Sequence, residues 1–130
     1  IPKQFENLRE KEILTFSVST FNNHPQIDET ILVVNEDWYD HVIANYSTCN
    51  VVIGGKTRRE SCKNGFLSCN PSSKNVLIHD GARPMVSNKI ISRCIKNLKS
   101  CNATSPAITA TDSILYFNNN YYENLNRNNP

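Results

Sequence analysis

Two stretches of the sequence combine residue types that suit chemistry on a phosphate. The first is Gly54-Gly55-Lys56-Thr57-Arg58-Arg59-Glu60-Ser61, where two of only four glycines follow the apolar run Val51-Val52-Ile53. At such a joint between strand and helix, a missing Cβ lets a phosphate or nucleotide approach the backbone, and the helix N-terminus offers free amides. The same glycines equally suit a plain strand-to-helix turn that needs them for its own φ angles. The second stretch is His79-Asp80-Gly81-Ala82-Arg83-Pro84, directly after Val76-Leu77-Ile78. A carboxylate at the end of a buried strand is costly to desolvate unless paired. It is well placed, however, to hold Mg²⁺ as one of few protein ligands while nucleotide phosphates supply the others. Gly81 and Ala82 leave space beside it. Two plainer readings stay open for Asp80: an ion pair with Arg83, or a cap on the next helix. His79 reads as a packed or hydrogen-bonded side chain rather than a catalytic base.

Together the two loops point to phosphate or nucleotide chemistry built around a single Mg²⁺ carboxylate. The sequence has neither a Walker lysine motif nor a G-x-G-x-x-G, so a P-loop NTPase and a dinucleotide oxidoreductase are unsupported. A nucleotidyl transferase fits better. That reaction needs positive groups and Mg²⁺ to neutralise charge at the attacked α-phosphate, and no protein nucleophile, because the acceptor's own phosphate attacks.

The elements that would position these loops are legible as alternating runs. Ile31-Leu32-Val33-Val34, Val51-Val52-Ile53, Val76-Leu77-Ile78 and the looser Ala107-Ile108-Thr109-Ala110-Thr111 are short, nearly continuous and β-branched, the pattern of strands buried on both faces. Helices are predicted between them. Residues 12–21 place Ile13, Phe16 and Val18 toward one side, and residues 37–46 place Trp38, Val42 and Tyr46 at four-residue steps. Thr57 and Glu60 have capping-box spacing and open a helix ending near Cys69. Ser87 can cap another, whose apolar stripe is Ile90, Ile91, Cys94, Ile95 and Leu98. Repeated βα units of this kind predict an α/β fold with a Rossmann-like, doubly wound, mostly parallel sheet, whose ligands sit beyond the carboxyl ends of the strands. The Asn- and Tyr-rich residues 116–130 read as an edge hairpin or a projecting arm.

Composition removes several other classes of function. A chain of 130 residues holds one domain, and 38% hydrophobic with 20% charged residues lies well above the disordered corner of composition. Fourteen basic against twelve acidic residues leave a net charge of +2, so binding to nucleic acid or an anionic membrane through bulk charge is not expected. Its apolar runs are far shorter than the ~20 residues of a membrane-spanning helix. Five cysteines form an odd set without a Cys-x-x-Cys pair, which argues for reduced thiols in a cytosolic protein rather than a zinc site or disulfide framework.

Four ordered segments carry a resemblance: Pro2-Lys3-Gln4-Phe5; Gly54 through Ser61; Val76 through Pro84; and Pro106-Ala107-Ile108 followed by Thr111-Asp112-Ser113-Ile114. In order and spacing the chain resembles the 2-C-methyl-D-erythritol 4-phosphate cytidylyltransferases from its first residue to Arg127. The resemblance implies a nucleotidyl-transferase fold and an enzyme that uses CTP and Mg²⁺ to make CDP-methylerythritol and pyrophosphate in the non-mevalonate isoprenoid pathway. It implies a bacterial cytoplasmic or plastid-type setting. By the matched positions, Lys3 stabilises charge on the CTP phosphates in the transition state, and Gly54, Gly55 and Ser61 approach the cytosine. Asp80 is the metal-associated aspartate, and Gly81, Ala82 and Arg83 form the loop about ribose and acceptor. Ser113, where the family usually has Thr, and Arg127 grip the acceptor from an arm that crosses a homodimer interface, with residues 112–130 as its start. The lysine usual two residues after Ser113 is Leu115 here.

Departures at the two ends shape the expectation for the domain. The family's Ala-Ala-Gly-x-Gly-x-Arg loop lies just before Pro-Lys-Gln, and a Thr-Pro-Gln segment lies beyond the arm; neither is within these residues. Residues 1–130 are therefore expected to be one nucleotidyl-transferase domain, incomplete at both ends, with the activity belonging to a longer whole. Two alternatives remain: an alditol-phosphate cytidylyltransferase acting on ribitol 5-phosphate, which shares the CTP half, and a non-catalytic nucleotide-binding module. Coding sequence upstream of Ile1 separates the last from the enzymes, by an intact phosphate loop or a start codon.

Overall fold

The computed structural model describes residues 1–108 and the backbone of 115–118 and 121–124. The chain opens with a 3-10 turn, Lys3–Phe5, and a small antiparallel hairpin of β1 (Asn7–Leu8) and β2 (Lys11–Glu12). Its two-residue loop, Arg9 and Glu10, has both φ angles positive (52° and 66°), the backbone twist that a tight hairpin favours. Helix α1 (Ile13–Asn22) follows directly.

The central unit is strand, helix, strand. β3 (Ile31–Val34) leads through a 3-10 turn, Glu36–Trp38, into α2 (Tyr39–Asn45), and β4 (Asn50–Ile53) returns parallel to β3 with Leu32 opposite Val51 and Val34 opposite Ile53. Parallel strands need such a crossover, and α2 supplies it. Alternation then separates the faces of the sheet. Leu32, Val34 and Val51 turn toward a core that also holds Phe5, Leu14, Val18, Val42 and Tyr46, with Trp38 and Cys49 against it. Val42 is completely buried. Val33 turns to the other face, where α3 (Arg58–Leu67) lies so close that a Cβ on Gly65 would sit 2.7 Å from Val33 Cγ2. Helices thus cover both faces, as the continuous β-branched runs predict.

Helix α4 (Asn88–Asn97) is capped by Ser87, whose hydroxyl accepts from the Ile90 amide, and α3 by Thr57, whose hydroxyl accepts from the Glu60 amide. Both caps stand where the sequence places them. On the α4 stripe only Ile91 is fully buried, and Ile90, Cys94, Ile95 and Leu98 are half-buried. Strands β5 (Leu115–Asn118) and β6 (Tyr121–Asn124) pair antiparallel, the hairpin expected at this position.

Three expectations change. Val76-Leu77-Ile78 is irregular and pairs with no strand among the described residues, and Val76 and Ile78 are 39% and 68% exposed. A strand exists only through hydrogen bonds to a neighbour, so β propensity alone does not make one. Ala107 and Ile108 are exposed and irregular, and 109–111 fall outside the described residues. In α1 the buried face is Leu14, Ser17 and Val18, while Ile13 and Phe16 are half-buried. Its apolar residues, Ile13, Leu14, Phe16, Val18 and Phe21, do not lie on a single face, and the polar Ser17 is drawn inside by hydrogen bonds described below. The five cysteines are free thiols, four half-buried and Cys101 exposed. Among the described residues no helix is long and apolar enough to cross a membrane.

Candidate functional site

The loop after β4 folds into a closed knot of hydrogen bonds. Gly54 prolongs the β3–β4 pairing, its amide donating to Val34 O at 2.7 Å. Thr57 Oγ1 accepts from the Glu60 amide at 3.1 Å, and Glu60 Oε2 reaches back to accept from the Lys56 amide at 2.8 Å, one residue further than a capping box usually returns. Ser61 Oγ accepts from the Gly55 amide at 3.1 Å and donates to Thr57 O at 3.0 Å. The side chain of Asn64 donates to Ile53 O at 3.1 Å and fastens α3 to the end of β4.

That knot explains both glycines. A Cβ on Gly54 would lie 2.8 Å from Ser61 Oγ, and one on Gly55 only 2.2 Å from Glu60 Cβ. No described glycine has a positive φ. Close approach, not an unusual backbone angle, therefore demands glycine here, which corrects the turn-conformation reading. The amides of Gly54 and Gly55 are spent inside the loop, as is the Ser61 hydroxyl. The Gly54 carbonyl and the first amides of α3, those of Arg58 and Arg59, are what this loop can still offer a ligand.

Asp80 heads the second loop and holds two arginines. Its Oδ1 accepts from Arg58 Nη2 at 2.7 Å, and its Oδ2 lies 3.0 Å from Arg83 Nε. Hydrogen bonding and charge from Arg58, with a smaller contribution from Arg83, hold the carboxyl below its usual range, and Asp80 in turn raises the Arg58 guanidinium further. Of the two plainer readings of Asp80, the ion pair with Arg83 is present. Arg58 is the partner that the sequence does not announce, 22 residues away. One local signal could have flagged it: a cation in the first turn of a helix opposes the helix dipole, so Arg58 needs an anion from elsewhere.

The loop behind Asp80 is anchored to α1. His79 Nε2 lies 3.0 Å from Arg83 O and 3.4 Å from Ser17 Oγ, and Ser17 donates to the same carbonyl at 3.1 Å. The His79 ring stacks at a tilt on Phe21, 5.2 Å between centroids. His79 is thus the packed, hydrogen-bonded histidine expected. At Gly81 a Cβ would lie 3.1 Å from Leu14 Cδ1 and 4.0 Å from Gln4 Cβ, which puts the loop against the turn that carries Lys3. Lys3 is exposed, Ala82 half-buried and Arg83 exposed.

Three segments far apart in sequence therefore meet: the Lys3 turn, the Gly54–Ser61 knot and the Asp80–Arg83 loop. Ser113 and Arg127 lie outside the described residues. Two hollows of the surface are elsewhere. One of about 310 Å³, lined by Asn22, Ile27, Asp28, Glu29, Thr30 and Thr48, sits at the opposite, amino end of β3 and β4; another of about 340 Å³ lies between α2 and β4. Convergent charge, not concavity, marks the candidate site.

For a divalent cation the Asp80 loop offers one carboxylate, and the described residues hold no cluster of three or more His, Cys, Asp or Glu side chains. That set suits Mg²⁺ held chiefly by the phosphates of a nucleotide. Both Asp80 oxygens are paired, so an ion there displaces a guanidinium; with the arginine side chains 74% and 77% exposed, either can swing away.

Comparisons with known proteins show which family the chain is similar to. A model of the 2-C-methyl-D-erythritol 4-phosphate cytidylyltransferase family matches residues 1–126. The chain is 41% identical over 120 residues to a protein of that name from Clostridium tetani, covering 88% of this chain and 48% of the relative. It is 34% identical over 130 residues to a bifunctional ribulose 5-phosphate reductase/CDP-ribitol pyrophosphorylase of Haemophilus influenzae, covering 94% of this chain and 27% of the relative. The crystal structure of 4-diphosphocytidyl-2C-methyl-D-erythritol synthase from Anaerococcus prevotii superposes with a TM-score of 0.85 at 28% identity, over 93% of this chain and 56% of that one. The chain spans about half the length of the curated cytidylyltransferases it matches. On the match over residues 1–126, this chain belongs to the 2-C-methyl-D-erythritol 4-phosphate cytidylyltransferase family.

Proposed function

We propose that the polypeptide carrying these residues transfers CMP from CTP to 2-C-methyl-D-erythritol 4-phosphate, releasing pyrophosphate. Beside the family match, the observation that carries this reading is the Arg58–Asp80 pair, which gathers the two phosphate-type loops at the carboxyl end of β4. An oxygen of the acceptor's phosphate attacks the α-phosphorus of CTP. The bond from that phosphorus to the β-phosphate bridging oxygen breaks, and pyrophosphate leaves with the electron pair. No protein nucleophile is required. What the chain supplies is position and charge.

In this reading Lys3 faces the phosphates and stabilises the charge that builds on them as the α-phosphorus is attacked. The carbonyls of the Gly54–Gly55 loop face the cytosine, and Ser61 holds that loop in shape. Gly81 and Ala82 border the ribose, with nothing larger than a methyl group to obstruct it. Arg83 faces the acceptor. Mg²⁺, when bound with the nucleotide, would be held by Asp80 and would neutralise phosphate charge. Ser113 and Arg127 are assigned to the acceptor phosphate by motif position alone, from the arm of a second subunit in a homodimer. The reading of CTP, Mg²⁺, the dimer and each role is drawn from the family and from these placements.

Pyrophosphate release by the full-length protein, with 2-C-methyl-D-erythritol 4-phosphate and ribitol 5-phosphate compared at equal CTP, tests the reading. Turnover with the first is expected. Turnover with ribitol 5-phosphate alone would favour the second reading, which the Haemophilus relative keeps in view. Turnover with neither would indicate a nucleotide-binding module.

A further inference from the structure

A cluster of side chains on the far side of the Lys3 turn has no part in the chemistry described so far. Phe5, 6% exposed, lies between two rings of α2 and its entry: stacked on Trp38 at 4.5 Å and 16°, and edge-on to His41 at 5.3 Å and 73°. Trp38 and His41 meet edge to face at 5.4 Å, so the three rings close on one another. His41 Nε2 also lies 2.6 Å from Glu12 Oε1. The other oxygen of Glu12 accepts from Tyr46 Oη at 2.6 Å, and Thr15 Oγ1 lies 3.1 Å from the same phenol.

His41 therefore grips the amino-terminal segment twice. Its ring packs on Phe5, two residues after Lys3, and its nitrogen holds Glu12, at the far end of the hairpin. Between these points the Ile13 amide donates to Glu6 O at 2.9 Å and closes the segment into a loop. Nothing among the described residues pairs with the Lys3 ammonium; its backbone is held by the turn, where the Phe5 amide donates to Pro2 O at 2.9 Å, and by Phe5 itself. Aromatic packing sets where that turn stands, and a carboxylate shared by two donors sets where His41 stands.

We propose that His41, fixed by Glu12, is a positioning residue for Lys3, holding the Lys3 turn against α2 through Phe5. This rests on the assignment of Lys3 to the phosphates. Lys3 acts only if its ammonium reaches the charge that develops in the transition state, and a displacement of about 1 Å can cost on the order of a hundredfold in rate. Loss of His41 then lowers kcat and leaves KM for CTP nearly unchanged, because an interaction made mainly in the transition state is the one that loosens.

The test is a double-mutant cycle in the full-length enzyme with His41→Ala and Lys3→Ala, reading kcat, KM for CTP and thermal unfolding. Lys3→Ala alone is expected to lower kcat by roughly a hundredfold, and His41→Ala alone by about tenfold. In the Lys3→Ala background, His41→Ala is expected to change kcat by less than about twofold, since its effect runs through a group already gone. Multiplying effects, or an unaltered kcat in a folded His41→Ala, overturn the proposal while leaving Lys3 in place. An unaltered kcat in Lys3→Ala overturns both it and the assignment of Lys3. Should His41→Ala not fold, Glu12→Gln, which keeps shape and removes charge, enters the same cycle with the same expectations.

Discussion

Arg58 Nη2 stands 2.7 Å from Asp80 Oδ1, and that contact joins the first turn of α3 to a loop 22 residues further along the chain. It gives an arginine at a helix N-terminus an anion against the unfavourable end of the helix dipole. It also loads a carboxylate at the carboxyl end of β4, so that Asp80 is ionised, oriented and shared between two guanidinia.

Arg58→Ala is expected to raise the Asp80 pKa toward its ordinary value of 3.8. The sign follows from linkage: a carboxyl depressed in the folded state contributes stability that is present above its unfolded pKa and lost as pH falls through the folded one. The variant and the parent should thus be nearly equal in stability below the folded pKa and differ only above it. Both side chains are solvent-screened, so the difference is small. Titration of the Asp80 carboxyl carbon by NMR reads it directly, and an unmoved midpoint in Arg58→Ala would show that the pair does not persist in solution.

Asp80→Asn in the full-length enzyme is expected to lower CTP turnover by orders of magnitude with the fold intact. Asn keeps the shape but loses the charge that holds Arg58 and Arg83 and would hold Mg²⁺. Pyrophosphate release together with thermal unfolding checks both halves of the statement. Near-normal turnover would take Asp80 out of the site.

Gly55→Ala should destabilise the protein by about 1–3 kcal/mol, because the added methyl falls 2.2 Å from Glu60 Cβ, on a backbone-fixed part of α3 that has nowhere to go. Urea unfolding measures it. A change within a few tenths of a kcal/mol would mean that the knot is looser than its hydrogen bonds imply.

Tyr46 should titrate late. Burial, then its hydrogen bond to the Glu12 carboxylate, push its phenol from 10.0 up to about 12. A raised pKa of a neutral acid contributes stability that is whole below the unfolded value, near pH 10, and disappears as pH climbs toward 12. Tyr46→Phe should remove that alkaline loss and, at neutral pH, leave Glu12 one donor short. Tyrosinate absorbance and unfolding followed across the alkaline range give the answer; a phenol that titrates near 10 would separate Tyr46 from Glu12.

Much of the fold was legible in the sequence because its causes are local. Continuous β-branched runs forecast β3 and β4, the spacing of Trp38, Val42 and Tyr46 forecast the inward side of α2 and its two flanking residues, and hydroxyls at Thr57 and Ser87 forecast two helix starts; all depend on residues a few positions apart. The strand assigned to Val76-Leu77-Ile78 failed for the complementary reason. Propensity is carried by the segment, but a ladder is carried by a neighbour, and none of the described strands is that neighbour.

The sequence by itself determined an α/β chain of a cytidylyltransferase family and the two loops where its chemistry could gather, since ordered motifs and hydrophobic period survive as one-dimensional patterns. Only the tertiary structure decided what those residues do to one another. It showed that Gly54 and Gly55 are required by the close packing of Ser61 and Glu60, that Arg58 shares Asp80 with Arg83, and that His41 faces both Phe5 and Glu12. Each of these is a distance across the fold, and charge, contact and exclusion act through space rather than along the chain.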